Sequence, residues 1–448
     1  MGRVVLFSPI GGTDPISNSN YHDGALLHIS RVFKPDRIYL YMSKEIIDKE
    51  EKDNRFTYCL SKLYERINKP LDYVMIKRPD LIEVHDFDYF YEDYRCEINK
   101  ISDELAEDDE LIVNISSGTP AMKSSLVFLA TLGEINVKMI QVSTPEKKMN
   151  THVHPDFIEE LWECDEDNRD DFVNRCTEVH CQSLALINNE NVIKKMIRHY
   201  DYDAALQVVQ MLNEEDTKDY IHHIEYACER LKLNYSEVSK LENTYGIKSY
   251  IPVRESKYRD AVEYALTLFI KEKRGEYGDF VRGLTPLILE LFILVLEKQT
   301  KVNARDFCDR DLKTTGFKWN VERLKQCPET REWLNILNRA YPSGGFNPVF
   351  LLAVHLLYVI KEKCSPEIVK KTELLREVEE NVRNNAAHEI KCVTAESVFK
   401  LTNYTCKDII DTIKSISGYA GIRNADAVWS SYDLMNEDII KLIGKRNS

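Results

Sequence analysis

No Cys-x-x-Cys pair occurs among the eleven cysteines, an odd number scattered from Cys59 to Cys406. A disulfide framework is therefore not expected, and the thiols read as reduced and mostly buried. Cys176 and Cys181 flank His180 like a zinc corner, but no second Cys/His cluster stands at finger spacing, so no metal is assigned. Long apolar runs are missing too. The longest, Leu287 to Leu296, is interrupted by Glu290 and falls far short of the roughly 20 residues a membrane span needs. The opening MGRVVLFSPIGG reads as a first strand rather than a leader, so a cytoplasmic protein without membrane association is expected. There is no excess of positive charge. Lys and Arg total 60 against 74 Asp and Glu, a net charge of -14, which argues against a protein that coats nucleic acid and against stable DNA binding. Neither G-x-G-x-x-G nor G-x-x-x-x-G-K-[ST] is present, which lowers dinucleotide and nucleoside-triphosphate readings. The run Asp165 to Asp171 lacks a calcium loop's central glycine and has Arg169 at a ligand position. It reads as a solvated charge run.

What is present is ample for a globular protein: 448 residues, 43% hydrophobic and 30% charged, enough for two or three domains. Up to about Pro145, short apolar runs alternate with longer amphipathic ones, the pattern of a parallel sheet flanked by helices. Five strands are expected, at Val4–Phe7, Arg37–Met42, Tyr73–Ile76, Leu111–Ile115 and Val137–Val142, with helices near 22–33, 44–68, 88–106 and 119–133. Beyond an acidic connector the chain reads helical almost to its end, at 203–213, 217–231, 256–273, 284–298, 349–363, 366–389, 395–415 and 433–443, without a strand series or a fixed-period repeat. The fold class is α/β plus all-α: a Rossmann-like domain over 1–150, a helical linker region over 151–270 and an all-helical domain over 271–448.

In such a sheet a ligand sits outside the carboxyl ends of the strands. Strand one is followed there by Ser8-Pro9-Ile10-Gly11-Gly12-Thr13-Asp14-Pro15, and strand four by Ser116-Ser117-Gly118-Thr119-Pro120. Glycines let backbone amides approach a ligand, hydroxyls donate, and a helix start capped by Thr119 with Pro120 in its first turn favours an anion. A pocket for a phosphate-bearing ligand follows, although turn glycines and hydroxyl caps also occur in any doubly wound domain.

Near the end of the 366–389 helix stands Arg383-Asn384-Asn385-Ala386-Ala387-His388. Arginine is a permanent cation with a fork suited to phosphate, and histidine exchanges protons near neutral pH. RNA scission by its own 2′-hydroxyl needs these two functions and no metal. Five residues is about 140° of helical rotation, so a shared face requires a bend or helix end at Asn384-Asn385. Alone, an Arg-x-x-x-x-His pair is more often a helix-surface coincidence.

The two features together resemble the CRISPR-associated CARF and HEPN ribonucleases of type III systems, over nearly the whole chain. Leu6 to Pro15, His22-Asp23-Gly24-Ala25-Leu26-Leu27-His28-Ile29 and Asn114 to Met122 are similar to the stand-alone Csm-type effector, and Arg383-Asn384-x-x-x-His388 to the HEPN motif. The resemblance implies a homodimer whose CARF domains bind a cyclic oligoadenylate, cyclic hexa-adenylate foremost, across a two-fold axis. Its HEPN domains join two Arg/His motifs into one cleft for single-stranded RNA. Carried over residue by residue, Arg383 meets phosphate charge, His388 handles the proton and Asn384 orients them. Pro9, Ile10, Gly11, Gly12, Thr13 and Asp14, with Ser116, Ser117, Gly118 and Thr119, surround the ring. Thr13, Ser116 or Thr119 is a candidate to align a ring 2′-hydroxyl for slow cleavage of the activator. Two other readings compete: a non-catalytic sensor whose helical half docks a partner, and a small-molecule enzyme using His22 or His28, which read better as packing residues of the first helix.

Overall fold

The structure, a computed structural model, describes residues 2–133, 135–145, 158–311, 316–341, 346–347, 350–386, 392–423 and 425–445, with backbone alone at 182 and 382–386. It divides into two compact units, residues 1–189 and 190–448.

In the first unit, β1 (Val4–Pro9), β2 (Arg37–Ser43), β3 (Tyr73–Arg78), β4 (Glu110–Asn114) and β5 (Lys138–Val142) run parallel. A sixth strand, β6 (Cys176–Val179), pairs antiparallel with β5, giving the order β3-β2-β1-β4-β5-β6. The sequence reading had no strand there. Alternate residues of β1 serve opposite faces. Leu6 joins Leu26, Ile29, Leu40, Leu60 and Ile112 under α1 (Ala25–Phe33), α2 (Lys44–Asp53), α3 (Arg55–Arg66) and α6 (Ile158–Glu163). Val5 and Phe7 join Tyr41, Tyr94, Val113 and Leu126 under α4 (Phe87–Asp103) and α5 (Pro120–Thr131). Burial on both faces is why β1, β2 and β4 read as continuous apolar runs rather than as alternation.

The single helix expected over 44–68 is broken at Asn54, whose φ of +51° is left-handed. Asn tolerates that conformation. The buried Glu50 carboxylate then accepts the Phe56 and Thr57 N–H groups at 2.9 and 3.3 Å, caps α3 and fixes the corner.

The second unit is built round the helix Leu284–Thr300, in which Leu284, Leu287, Ile288 and Leu291 to Leu296 are all buried. Helices Ser256–Lys273, Ala353–Lys363, Pro366–Ala386 and Cys406–Tyr419 pack against it. The helix expected over 395–415 is two, split at Asn403 (φ +62°), the second capped by Thr405 and Asp408. A short antiparallel hairpin, β7 (Cys308–Arg310) with β8 (Phe317–Trp319), interrupts the helical series. Among the described residues no helix is long and apolar enough to cross a membrane.

Candidate functional site

From β1 the chain moves outward to β2 and β3, then returns to place β4 on the other side of β1. The loops after β1 and β4 therefore leave toward opposite faces, α1 on one and α5 on the other, and open a crevice at the carboxyl edge. The sequence placed its ligand loops at these two turns, and the structure brings them together.

They meet backbone to backbone. A Cβ on Gly11 would lie 2.6 Å from the Gly118 nitrogen, and Gly118 has φ +86°, so both positions need glycine. Beneath them Asn114, fully buried, donates from Nδ2 to the hydroxyls of Ser8 and Ser117, both at 2.9 Å. Its Oδ1 accepts the Ser116 and Ser117 N–H groups at 2.8 and 3.2 Å. Asn114 thus sets the β4 loop. Sequence reasoning gave it no role, although a lone amide ending an apolar strand was a usable signal. Asp14 turns its oxygens to the N–H groups of Gly11 (2.9 Å) and Leu26 (3.0 Å), joining the β1 loop to the start of α1. Burial pushes its carboxyl above the ordinary value against hydrogen bonds from Ser117, Gly11 and Leu26.

The candidates thus divide in two. Pro9, Ile10, Gly11, Asp14 and Ser117 are buried and form the wall, while Gly12, Thr13, Ser116, Gly118 and Thr119 are partly open. The Thr119 hydroxyl donates to Val84 O at 2.6 Å and accepts Met122 N–H at 3.4 Å as the cap of α5.

Beside the crevice lies a cluster that the sequence reading missed. Asp165 and Asp167, expected in a solvated charge run, are 2% and 5% exposed. Arg31 forks onto Asp23 at 2.7 and 2.9 Å and reaches Asp165 at 3.3 Å. Arg175 reaches Asp167 at 2.7 Å, and His22 Nδ1 lies 3.1 Å from the same carboxylate. Partners some 140 positions apart leave no local trace, so the run looked like surface. Burial and then the charge of Asp23 push the Asp165 carboxyl up to about 9. At Asp167 burial is outweighed by hydrogen bonds from His28 and His22 and by the Arg175 charge, which hold it well below the usual range. Asp23, His28 and Asp167 approach one another closely enough to hold a metal ion, but the Arg175 guanidinium supplies the cation there. His22 precedes α1, and His28 lies inside it, fully buried. His180 is exposed, with Nε2 3.3 Å from a Glu178 carboxylate oxygen, and Cys176 and Cys181 are free thiols.

In the second unit Arg383, Asn384 and Asn385 fall in the last turn of the helix Pro366–Ala386, whose end at Ala386 lies next to the pair where a bend or helix end is expected. Ile368, Leu375, Val378 and Glu379 face the core, and Arg376 holds Glu379 and Glu380. His388 lies outside the described residues. An open cleft of about 520 Å³ lined by Tyr235, Tyr264, Lys257, Glu290 and Arg305 has its charged lining paired, Lys257 with Glu297 and Arg305 with Glu290.

Three family models match successive stretches of the chain from residue 74 onward: the Cas_Csm6 CARF domain over residues 74–176, the Csm6 6H domain over 180–231 and the Cas_Csm6 HEPN domain over 250–440. A switch-point crevice in a parallel sheet and a helical unit carrying the HEPN match define a CARF–HEPN protein. The CRISPR system endoribonuclease Csm6 of Mycobacterium tuberculosis (strain ATCC 25618 / H37Rv) is 28% identical over 98% of this chain and 99% of its own. Csm6′ of Streptococcus thermophilus is 28% identical over 68% of this chain and 75% of its own. In fold the chain matches Enterococcus italicus Csm6 bound to cyclic hexa-2′-fluoro-hexa-dAMP, with a TM-score of 0.66 and 21% identity, covering 98% of this chain and all of that one. Within the CARF–HEPN class, the chain is a Csm6-type effector.

Proposed function

We propose that the protein is a single-strand endoribonuclease switched on by a cyclic oligoadenylate, cyclic hexa-adenylate foremost, in type III CRISPR antiviral defence. One observation carries this reading: a single chain pairs the β1/β4 crevice with Arg383-x-x-x-x-His388, which falls inside the span matched by the HEPN model. The open backbone of Gly12 and Gly118 and the hydroxyls of Thr13 and Ser116 suit a ring of phosphates and riboses, and the buried residues keep the two loops in register. The structure of E. italicus Csm6 bound to cyclic hexa-2′-fluoro-hexa-dAMP supports that ligand class.

In the cleavage step the ribose 2′-oxygen bonds to the adjacent phosphorus and the bond to the 5′-oxygen breaks. The proton from the 2′-hydroxyl is removed and the leaving oxygen gains one, so the ends are a 2′,3′-cyclic phosphate and a 5′-hydroxyl. His388 handles proton transfer, Arg383 meets the developing phosphate charge and Asn384 orients them. No step needs a metal. One chain carries one motif, so two chains complete the cleft in a homodimer, and a rotationally symmetric ring fits their two-fold axis. Thr13, Ser116 or Thr119 aligns a ring 2′-hydroxyl for slow destruction of the activator.

The test is a quenched RNA reporter incubated with purified protein, EDTA and each cyclic oligoadenylate in turn. Cleavage is expected with cyclic hexa-adenylate. Arg383→Ala and His388→Ala should each lose roughly 100-fold or more in rate while binding the ring as before. Cleavage that needs magnesium, or that survives either substitution, would overturn the assignment.

A further inference from the structure

Both walls of the crevice lead by hydrogen bonds to one residue, Arg175. From the β4 loop, the Ser116 hydroxyl accepts Val142 N–H at 2.7 Å. The next residue, Ser143, donates its N–H to Arg175 O at 3.1 Å and accepts from Arg175 Nη1 at 3.0 Å. From the β1 loop, Asp14 fixes the start of α1, and α1 carries His28, whose Nε2 accepts the Arg175 N–H at 2.8 Å. Just ahead of α1, Asp23 O accepts from Arg175 Nη2 at 3.2 Å. Asp167 closes the node by accepting both Arg175 Nη2 (2.7 Å) and Asp23 N–H (2.9 Å). On its other side, His28 Nδ1 lies 3.0 Å from Arg175 Nη2, with the carboxylates of Asp23 and Asp167 at 3.8 and 3.7 Å.

The Arg175 side chain is 10% exposed and its Nε is buried without a partner. A cation so enclosed holds its partners in few arrangements, since losing any one leaves charge uncompensated in a poorly polarisable surrounding. A shift of either loop therefore moves Arg175, not the solvent. Directly after it come β6 and the helix Gln182–Arg198, within which the division between the two units falls.

We infer that Arg175 is the positioning residue that passes occupancy of the crevice to β6 and the helix leaving the sheet. The inference rests on the nuclease reading above. Asp167 and His28 hold Arg175, and Arg175 holds the chain. This is coupling between two sites through one discrete element, so it predicts a loss of activation separable from a loss of binding.

Arg175→Lys keeps the charge but lacks the fork that spans Ser143, Asp167 and Asp23 together. Its affinity for cyclic hexa-adenylate by calorimetry should stay within about threefold, and its activator-independent rate should be unchanged, while the stimulated rate falls roughly tenfold or more. Full stimulation, or affinity and stimulation falling in parallel, would overturn the inference. Hydrogen exchange on the wild-type protein tests it independently of how the variant folds: adding cyclic hexa-adenylate should change protection at the Val142, Ser143 and Arg175 amides, and unchanged protection refutes the coupling. A wild-type chain that binds the ring and shifts those amides but cuts no RNA would instead overturn the nuclease reading and leave the coupling standing.

Discussion

Gly11 stands where a methyl group has no room, because the contact at 2.6 Å is with the Gly118 backbone, which cannot rotate away. Gly11→Ala should separate the β1 and β4 loops and weaken cyclic hexa-adenylate binding by roughly tenfold or more in a calorimetric titration, so unchanged affinity would move the ligand elsewhere. A second residue sets a pH limit. His355 is 2% exposed, and its Nδ1 accepts Trp319 Nε1–H at 3.1 Å and Leu352 N–H at 3.3 Å. Burial, then the charge of Arg376, lowers its pKa to about 4. Below the ordinary value the unfolded chain takes up a proton that the folded chain refuses. Stability conferred by neutral His355 is therefore complete above about pH 6.5, falls as the pH drops toward 4, and levels off below that, a loss on the order of 3 kcal/mol. His355→Gln keeps an acceptor and removes the titration, so urea unfolding between pH 7 and 4.5 should show a shallower slope than the wild type. At this scale the sequence located the loops but not the division of labour within them. The resemblance places Ile10, Asp14 and Ser117 round the ring, and in the structure the Asp14 oxygens accept the N–H groups of Gly11 and Leu26.

Elements were legible where both faces, or one whole face, are buried. β1, β2 and β4 announced themselves as apolar runs, and Leu284–Thr300 as a core helix. The breaks at Asn54 and Asn403 were not, because amphipathic spacing continues across a left-handed residue while the capping groups Glu50 and Thr405 are ordinary polar residues in sequence. β6 escaped because Cys-Thr-Glu-Val is mostly exposed and gains its identity only from β5. Helices are also joined by a charge no pattern reveals. Arg230, on Ile221–Leu231, forks onto Glu263 of Ser256–Lys273 at 2.9 Å twice and reaches Ser431 Oγ at 2.8 Å, with both ionic groups fully buried. Arg230→Ala leaves Glu263 charged and alone, so urea unfolding should show a loss of about 3–5 kcal/mol. Replacing both with apolar residues should recover much of it, and an equal loss in the double variant would contradict this account.

At the scale of the molecule, composition gave two kinds of architecture in one chain, and the structure has them, a sheet unit and a helical unit. The cluster joining α1 to residues 165–175 and the strand it feeds were invisible, since they exist only between distant stretches. That last strand has a mechanical consequence. Running against its neighbour, β6 places Val179 beside Met139 and Cys176 beside Val142. Tension entering from the following helix reaches the Val179 rung first, then Glu178, and so on toward Cys176. Only four rungs separate an attached strand from a free one, and none of them belongs to β1 through β4. Pulled through its C-terminal segment, the sheet unit should release β6 at low force and remain folded, and the ladder amides of β6 should exchange orders of magnitude faster than those of β1. A single high-force rupture with uniform protection would mean that β6 is welded to the sheet. An edge strand held by four pairs makes the sheet's last rung a fuse, the first to open before load reaches β1 and β4.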